Sequence, residues 1–362
     1  MSTRRAPKKK VKVVDLFCGV GGLTHGLIAE GLDVVAGVDN DDTCRFAFET
    51  NNASKFIYKD VADFSSKELA ELYGDAEVKV LVGCAPCQPF STMNRTRATG
   101  KNKAKKWDPL YHFMDLIGKT RPDIVSMENV PDLANEKKYP VFGEFVRSLK
   151  KNGYQVAYKP VDVSKYGVPQ KRRRLVLLAS RLGEISLIDE THPQGKEVTV
   201  REVIGGLPAI KDGAVHPKDP LHRTSKLSEK NKQRIMATPK NGGSAKSWDK
   251  SLMPDCYKKE SGKSYMTTVY GRMRWDTPSP TMTTHCVTLG AGRYGHPTQD
   301  RAISLREAAL LQSFPKNYQF ETPEKISMVK TARHIGNAVP VLLGRAIGKS
   351  IKKHLEEHRG VA

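Results

Sequence analysis

The chain has 362 residues, and its 60 Lys and Arg side chains outnumber its 39 Asp and Glu side chains, which gives a formal net charge of +21. This length is sufficient for two domains, or for one domain with a large insertion. No run of about 18 apolar residues is present, and the N-terminus lacks the apolar core of a signal peptide, so we expect a soluble, intracellular protein. The excess of positive charge favours a polyanionic partner, and nucleic acid is the simplest.

The cysteines are expected to be reduced thiols, because disulfides are rare inside cells. Cys84 and Cys87 form a C-x-x-C pair that no second pair accompanies, so a zinc site built on them would lack half of its ligands. We therefore predict no metal site. The first twelve residues carry six basic side chains and no acid, and residues 1–10 are predicted to form a disordered arm. Such an arm can contact a phosphate backbone, act as a nuclear import signal in a eukaryote, or remain a solvated tail.

β-Branched residues predict a strand over residues 11–17, which leads into a glycine-rich turn, 18–22, and then into a helix that ends near Gly31. This succession is typical of a nucleotide-binding fold, because glycine lets the backbone approach a ligand and the free N–H groups of the helix attract an anion. Thr24 stands where the dinucleotide fingerprint has its last glycine, which disfavours NAD.

Two further strands are each followed by an acid. The strand over residues 33–38 leads to Asp39, about twenty residues after the glycines, where α/β folds place the acid that binds ribose hydroxyls. The strand over 56–58 leads to Asp60, which can accept a hydrogen bond from an adenine amino group. Either acid is also compatible with a helix cap or a solvated loop position.

The next apolar run, 78–82, reads as a buried strand, and the loop Gly-Cys-Ala-Pro-Cys-Gln-Pro-Phe-Ser follows it at 83–91. Two prolines flank Cys87 and restrict the backbone, so its thiol is presented at the end of a strand, where chemistry collects in open α/β sheets. A buried structural cysteine and a redox pair with Cys84 are the alternatives. Residues 92–107 carry six basic side chains and no acid, which is typical of either a loop that closes over a phosphate-bearing substrate or a solvated loop.

The strand over 124–127 ends at Glu128, which we expect at the same sheet edge as Cys87. Four consecutive cations, 171–174, precede the strand over 175–179, and they are either functional or a surface cluster. Beyond these, the sequence has short segments rich in Pro, Gly, Ser and Lys, with 15 basic and 6 acidic residues between 211 and 275. This composition predicts a separate substrate-reading region. Its tryptophans, Trp248 and Trp275, either stack on bases or fill a small core.

Seven stretches together resemble the cytosine-C5 DNA methyltransferase family, in its compact prokaryotic or viral form of the restriction-modification type. They are DLFCGVGG (15–22), VDND (38–41), GCAPCQPFS (83–91), ENV (128–130), QKRRR (170–174), REAALLQSFP (306–315) and GNAVP (336–340). The resemblance implies an α/β, Rossmann-like, S-adenosylmethionine-dependent methyltransferase domain with a mostly parallel sheet, formed by residues 11–190 and 330–362. A smaller, irregular target-recognition domain is expected at 191–329.

In this family the reaction is methyl transfer to C5 of a cytosine that is flipped out of duplex DNA. The resemblance assigns Cys87 as the nucleophile that adds to C6 and Glu128 as the carboxyl that engages N3 and the exocyclic amine. Arg174 is the cation on O2, with Arg172 alongside. No residue identifies the base that removes the C5 proton, and water can serve. The Cys84-x-x-Cys87 spacing then becomes incidental, so replacing Cys84 by Ala is expected to cost little activity.

The remaining site residues also follow from the resemblance. Residues predicted to bind S-adenosylmethionine are Phe17, Gly19, Gly21, Gly22, Asp39 at the ribose, Asp60 at the adenine, Pro86, Leu110 and Asn337. Residues predicted to contact DNA are Gln88, Ser91 and Thr281. We expect a monomer that acts on double-stranded DNA in the cytoplasm of a prokaryote, where it associates with the nucleoid, or inside a host cell if the source is viral. A nuclear location is expected only if the source is eukaryotic.

Two alternatives remain. The tRNA-directed branch of the same fold is disfavoured because its Cys-Phe-Thr signature is absent from this sequence. A DNA-binding homologue without catalytic activity is disfavoured because Cys87, Glu128 and Arg174 are all present. The recognised DNA sequence does not follow from these residues, since base contacts and phosphate contacts look alike in a sequence.

Overall fold

A computed structural model describes residues 10–86, 108–258 and 268–358. The chain forms two compact units: Met1–Val161, Arg173–Asp189 and Leu343–Ala362 make the first, and Asp162–Arg172 and Glu190–Leu342 make the second. One boundary, between Asp189 and Glu190, lies one residue from the predicted domain limit. Residues 162–172 and 330–342 were expected in the first unit but group with the second. The use of the second unit for target recognition stays a prediction.

The first unit contains one seven-stranded sheet with the order β3-β2-β1-β4-β5-β7-β6. Its strands are β1 Val11–Leu16, β2 Asp33–Asp39, β3 Lys55–Tyr58, β4 Val78–Gly83, β5 Ile124–Asn129, β6 Gln155–Asp162 and β7 Arg173–Ser180. Strands β1 to β5 pair in parallel, whereas β7 runs antiparallel to β5. The predicted α/β fold with a mostly parallel sheet is therefore confirmed, and the carboxyl ends of β1 to β5 meet at one edge.

The helices of the described residues are α1 Gly22–Ala29, α2 Arg45–Asn51, α3 Ser66–Tyr73, α4 Asp108–Thr120, α5 Pro140–Lys151, α6 Val200–Ile204, α7 Glu229–Ala237, α8 Leu305–Leu311, α9 Met328–Asn337 and α10 Val341–Glu357. None of them is both long and apolar enough to cross a membrane. The first unit is built on a large apolar core, in which side chains of the central strands such as Leu81 and Leu177 pack with Phe113, Phe142 and Phe145 of α4 and α5. Burying each of these side chains contributes about 1.5–3 kcal/mol.

The second unit has little regular structure. Its described strands are the short antiparallel pair β8 Val215–His216 and β9 Asp219–Arg223. Trp248 packs with Ala245 and Tyr257 in a small apolar cluster and is only 6% exposed, so it fills a core and does not present a stacking face. Trp275 is half-buried beneath the guanidinium of Arg201, whose central carbon lies 5.3 Å from the ring centroid. The irregularity expected of this part of the chain is thus present.

Candidate active site

The glycine-rich turn joins β1 to α1 at the carboxyl edge of the sheet. Three of its residues have positive φ: Phe17 at 58°, Gly19 at 51° and Gly21 at 84°. The predicted strand therefore stops one residue early, because a left-handed residue cannot continue a β-ladder. Helix α1 begins at Gly22, and among the described residues no side chain makes a capping hydrogen bond to its first N–H groups. This geometry is suited to a ligand that carries an anionic group.

Asp39, at the end of β2, is tied to this turn. Its Oδ2 accepts a hydrogen bond from the Gly19 N–H at 2.8 Å, and its Oδ1 accepts one from the Asp41 N–H at 2.9 Å. Burial raises the pKa of Asp39, and these N–H donors oppose that rise. The carboxylate retains further lone pairs, so it can fix the glycine turn and still accept from a ligand hydroxyl.

Asp60 follows β3, the parallel neighbour of β2, and so reaches the same edge as Asp39. It is exposed. Its Oδ2 accepts from the Asn40 amide at 2.8 Å, and its Oδ1 accepts from the Ala62 N–H at 2.9 Å. The bond from Asn40 ties the Asp60 carboxylate to the chain segment that follows Asp39.

A buried acid that the sequence reasoning did not single out lies in β1. Asp15 is 1% exposed, and its Oδ2 accepts a hydrogen bond from the hydroxyl of Thr24 at 2.6 Å. Among the described residues its Oδ1 has no hydrogen-bond partner. Burial raises the pKa of Asp15 to about 7, and the nearby Asp39 acts in the same direction. Thr24 thus replaces the fingerprint glycine with a donor to this acid; the signal in the sequence was one acid inside an apolar strand.

Glu128 lies in β5 and is 2% exposed. The Arg174 Nε lies 2.8 Å from its Oε1, and the Cys84 thiol donates to its Oε2 over 2.8 Å. Arg174 reaches it from β7, which pairs with β5 in antiparallel register. The structure therefore brings together two of the predicted catalytic residues, Glu128 and Arg174, and adds Cys84.

The start of the loop that carries Cys87 is fixed to the same strand. The Asn129 amide donates to the Ala85 carbonyl at 3.1 Å, and its own Oδ1 accepts from the Val130 N–H at 2.9 Å. Pro86 is exposed and is the last described residue before the loop. Cys87, Gln88 and Ser91 lie outside the described residues, as does the basic segment 92–107.

Two other predicted cofactor residues of the first unit, Phe17 and Leu110, are associated with its apolar core. The ring of Phe17 meets that of Phe113 edge to face, with centroids 6.5 Å apart. Leu110, on α4, is 2% exposed and belongs to the same apolar core. This packing fixes the ring of Phe17 only in part, since Phe17 remains half-exposed.

Three predicted site residues cluster within the second unit. Arg172 is 5% exposed, and its guanidinium donates to the carbonyls of Met282 at 2.7 Å and Gly336 at 3.2 Å. The hydroxyl of Thr281 donates to the Lys171 carbonyl at 2.7 Å. Gly336 lies so close to Thr283 that a Cβ on it would come within 2.2 Å of the Thr283 carbonyl. The exposed Asn337 follows Gly336 as the last residue of α9.

Comparisons with known proteins agree with this arrangement. The model of the family described as C-5 cytosine-specific DNA methylase matches residues 11–353. The type II methylase M.HgiDII of Herpetosiphon aurantiacus is 49% identical over 95% of this chain and 96% of its own length. The type II methyltransferase M1.HphI of Haemophilus parahaemolyticus is 29% identical over 94% of this chain and 86% of its own length.

Among solved structures, a DNA modification methyltransferase encoded within an Escherichia coli prophage superposes with a TM-score of 0.71. It is 22% identical and covers 96% of this chain and 99% of its own, so the fold is shared over the whole length. The family match over residues 11–353 and the 49% identical relative decide the classification. The chain belongs to the C-5 cytosine-specific DNA methylase family, the family of DNA (cytosine-5)-methyltransferases.

Proposed function

We propose that the protein transfers a methyl group from S-adenosylmethionine to C5 of a cytosine within a short, specific sequence of duplex DNA, with Cys87 as the nucleophile. The observation that carries the proposal is the position of the Glu128 carboxyl. It is buried at the carboxyl edge of the sheet, paired with Arg174, and attached through Asn129 to the start of the Cys87 loop.

The chemistry explains why these groups belong together. Cytosine C5 is a poor nucleophile, but addition of the Cys87 thiolate to C6 makes the ring an enamine whose C5 can attack a methyl group. Glu128 engages N3 and the exocyclic amine and stabilises the adduct protonated at N3, while Arg174 holds O2. After transfer, the C5 proton leaves and the S–C6 bond breaks, which restores the aromatic ring and the free thiolate.

The two predicted catalytic arginines receive different roles. Arg174 stands beside Glu128, where its charge can also favour the thiolate of Cys87. Both terminal nitrogens of Arg172 donate to main-chain carbonyls of the second unit. We therefore assign Arg172 as a positioning residue for the segment that includes Gly336 and Asn337, in place of the direct role expected from the resemblance.

The residues at the glycine turn fit S-adenosylmethionine. When bound, this cofactor supplies an activated methyl group on a positively charged sulfur. Glycines at 19, 21 and 22 let the backbone come close to its carboxylate at the start of α1, and Asp39 and Asp60 offer acceptors for ribose hydroxyls and the adenine amine. Phe17, Pro86 and Leu110 are assigned to the same pocket by resemblance, and Asn337 is assigned as a cofactor residue on the same ground.

DNA is the expected partner, and base flipping follows from the chemistry: a cytosine stacked in a duplex cannot reach the thiol, so the base must leave the stack. We assign Gln88 and Ser91 to filling the gap that the flipped base leaves in the duplex and to clamping the DNA backbone. Thr281 is assigned to a contact with the DNA backbone. The basic excess between 211 and 275 supports target reading by the second unit. A monomer acting in a restriction-modification system is the simplest form of the proposal.

Transfer of a tritiated methyl group to duplex DNA tests the proposal. Cys87→Ser is expected to abolish label on DNA while calorimetry shows unchanged binding of S-adenosylmethionine. Ser126→Ala is a matched control, because it removes a buried hydroxyl of the same sheet that has no hydrogen-bond partner among the described residues. Full activity of Cys87→Ser would reject the nucleophile. Label on tRNA but not on DNA in a parallel reaction would favour the tRNA-directed alternative, and bisulfite sequencing of expressing cells identifies the target.

A further inference from the structure

The thiol of Cys84 has no part in the reaction described above, yet it contacts one of the groups that does. Cys84 is half-buried, and its Sγ lies 2.8 Å from Oε2 of Glu128. The carboxyl of Glu128 is thus contacted on both oxygens, by the thiol on one side and by the Arg174 Nε on the other.

The position of this thiol is set by the sheet. Strands β4 and β5 pair in parallel with Gly83 opposite Met127, so Cys84 and Glu128 are the next residues in register. The backbone of Cys84 is still held, because its N–H donates to the Leu16 carbonyl at 3.3 Å. Residues in register on parallel strands project to the same face, which brings the thiol to the carboxyl.

The contact has a chemical consequence for a buried acid. A thiol is a weak donor to a neutral acceptor, but a hydrogen bond to an ionised carboxylate is about twice as strong as one between neutral groups. Arg174 contacts Oε1, so the carboxyl of Glu128 can still rotate about its last bond. A second donor at Oε2 restricts that rotation. A carboxylate has about four lone-pair sites, so Oε2 can accept from Cys84 and from a cytosine amine together.

We propose that Cys84 is a positioning residue for methyl transfer: its S–H holds Oε2 of Glu128 in the orientation in which the carboxyl meets N3 and the exocyclic amine of the flipped cytosine. This inference rests on the proposed function of Glu128. It also replaces the expectation, drawn from the sequence, that Cys84 is incidental and can be exchanged for Ala at little cost.

Two substitutions separate the hydrogen bond from the volume of the side chain. Cys84→Ala removes the donor, and we expect kcat for methyl transfer to fall about tenfold while KM for S-adenosylmethionine stays within about twofold. Cys84→Ser keeps a donor in the same place, and we expect it to restore kcat to within about threefold of the parent protein. Ser126→Ala, two residues before Glu128, is the control for loss of a buried polar group from β5, the strand that carries Glu128.

A second measurement follows cytosine activation without methyl transfer. Addition of Cys87 to C6 makes C5 an enamine carbon that exchanges its hydrogen with water, so release of tritium from [5-³H]cytosine in duplex DNA reports the step in which Glu128 acts. We expect Cys84→Ala to slow this release by the same factor as kcat. In a Glu128→Asp background, where the carboxyl no longer reaches the thiol, Cys84→Ala is expected to have an effect of less than about twofold.

The outcomes are distinct. An inactive parent protein would reject the proposed function itself. An active parent protein with a fully active Cys84→Ala variant would reject only the role of Cys84. Equal losses in the Ala and Ser variants, with cofactor binding intact, would show that volume and not the donor matters, and so would also reject it. A full effect of Cys84→Ala in the Glu128→Asp background would show that Cys84 does not act through Glu128.

Discussion

The two units are stabilised in different ways. The first has a continuous apolar core between a seven-stranded sheet and its helices. The second has small apolar clusters, such as Ile235 with Leu289 and Ala302, and several fully buried arginines. Arg272, with no exposed surface, donates to the carbonyls of Ile235 at 2.7 Å and Thr238 at 3.0 Å. Arginine suits this task, because its five N–H groups can satisfy several carbonyls that an irregular chain leaves unpaired.

This difference changes how the charge of the chain is understood. The net charge of +21 points to a polyanionic partner. Yet Arg301 is 1% exposed and makes two hydrogen bonds, of 2.7 and 2.8 Å, to the buried carboxylate of Glu307. Arg172 and Arg272 are likewise committed to the interior of the second unit. Part of the positive charge is therefore structural, because these arginines bind carbonyls and carboxylates in the interior of the second unit.

The largest effect expected from this comparison is on stability. Arg272→Met would leave the carbonyls of Ile235, Thr238, His296 and Gln299 without this donor and Asp300 without its buried partner. We expect a loss of roughly 3–5 kcal/mol in the free energy of unfolding, measured with urea. The exposed Arg274, two residues further on, is the control, and Arg274→Met is expected to change stability by less than about 0.5 kcal/mol. Equal effects would show that the buried arginine is not structural.

The next prediction concerns Asp15 in the first unit. Its pKa is raised from 3.8 to about 7 by burial, so the folded state prefers the protonated acid. The stability that this preference contributes is present below pH 4 and is lost as pH rises through 7, by about 4 kcal/mol. Asp15→Asn is expected to remove this loss, seen as an unfolding midpoint that no longer falls between pH 4 and 7.

The buried His296 leads us to expect that the stability of the second unit depends on pH in the opposite direction. Burial lowers its pKa from 6.5 to about 4, and its Nδ1 accepts hydrogen bonds from the N–H groups of Thr298 at 3.2 Å and Gln299 at 2.9 Å, which requires an unprotonated nitrogen. The stability that this group contributes is present above pH 6.5 and is lost as pH falls towards 4, by about 2–3 kcal/mol. His296→Asn keeps an acceptor that does not titrate, so it is expected to flatten the acid side of the stability curve. An unchanged curve would contradict the buried neutral state.

The smallest effects distinguish two arginines of one motif. Arg172→Lys cannot reach both carbonyls, and we expect a loss of about 1–2 kcal/mol in stability. Arg174→Lys retains a cation near Glu128 and is expected to cost less than about 1 kcal/mol in stability but to lower kcat about tenfold, because a lysine cannot hold Glu128 and O2 in the same geometry. Urea unfolding and methyl transfer on the same two variants test this. An exchange of the two phenotypes would reverse the assigned roles.

Much of the first unit could be predicted from local patterns. Strands β2, β4 and β5 extend only one or two residues beyond the predicted strands. The edge that gathers Asp39, Asp60 and Glu128 follows from parallel pairing. Helices α2 and α3 were not predicted, because each spans only seven or eight residues and has a short apolar face. Most of the second unit, apart from the helical pattern near residues 305–312, could be predicted only as irregular, since its polar core has no periodicity in the sequence.

The amino-acid sequence by itself determined the fold class and the family, because strand ends, glycines and catalytic residue types recur at spacings that local chemistry constrains. It could not distinguish neighbours within those motifs. In the run of four cations, Arg174 meets Glu128, whereas Arg172 meets the carbonyl of Gly336, 164 residues further on. Likewise, the contact of Cys84 with Glu128 spans 44 residues. Such partners come from distant parts of the chain, and only the register of the sheet and the packing of each unit decide which side chains meet.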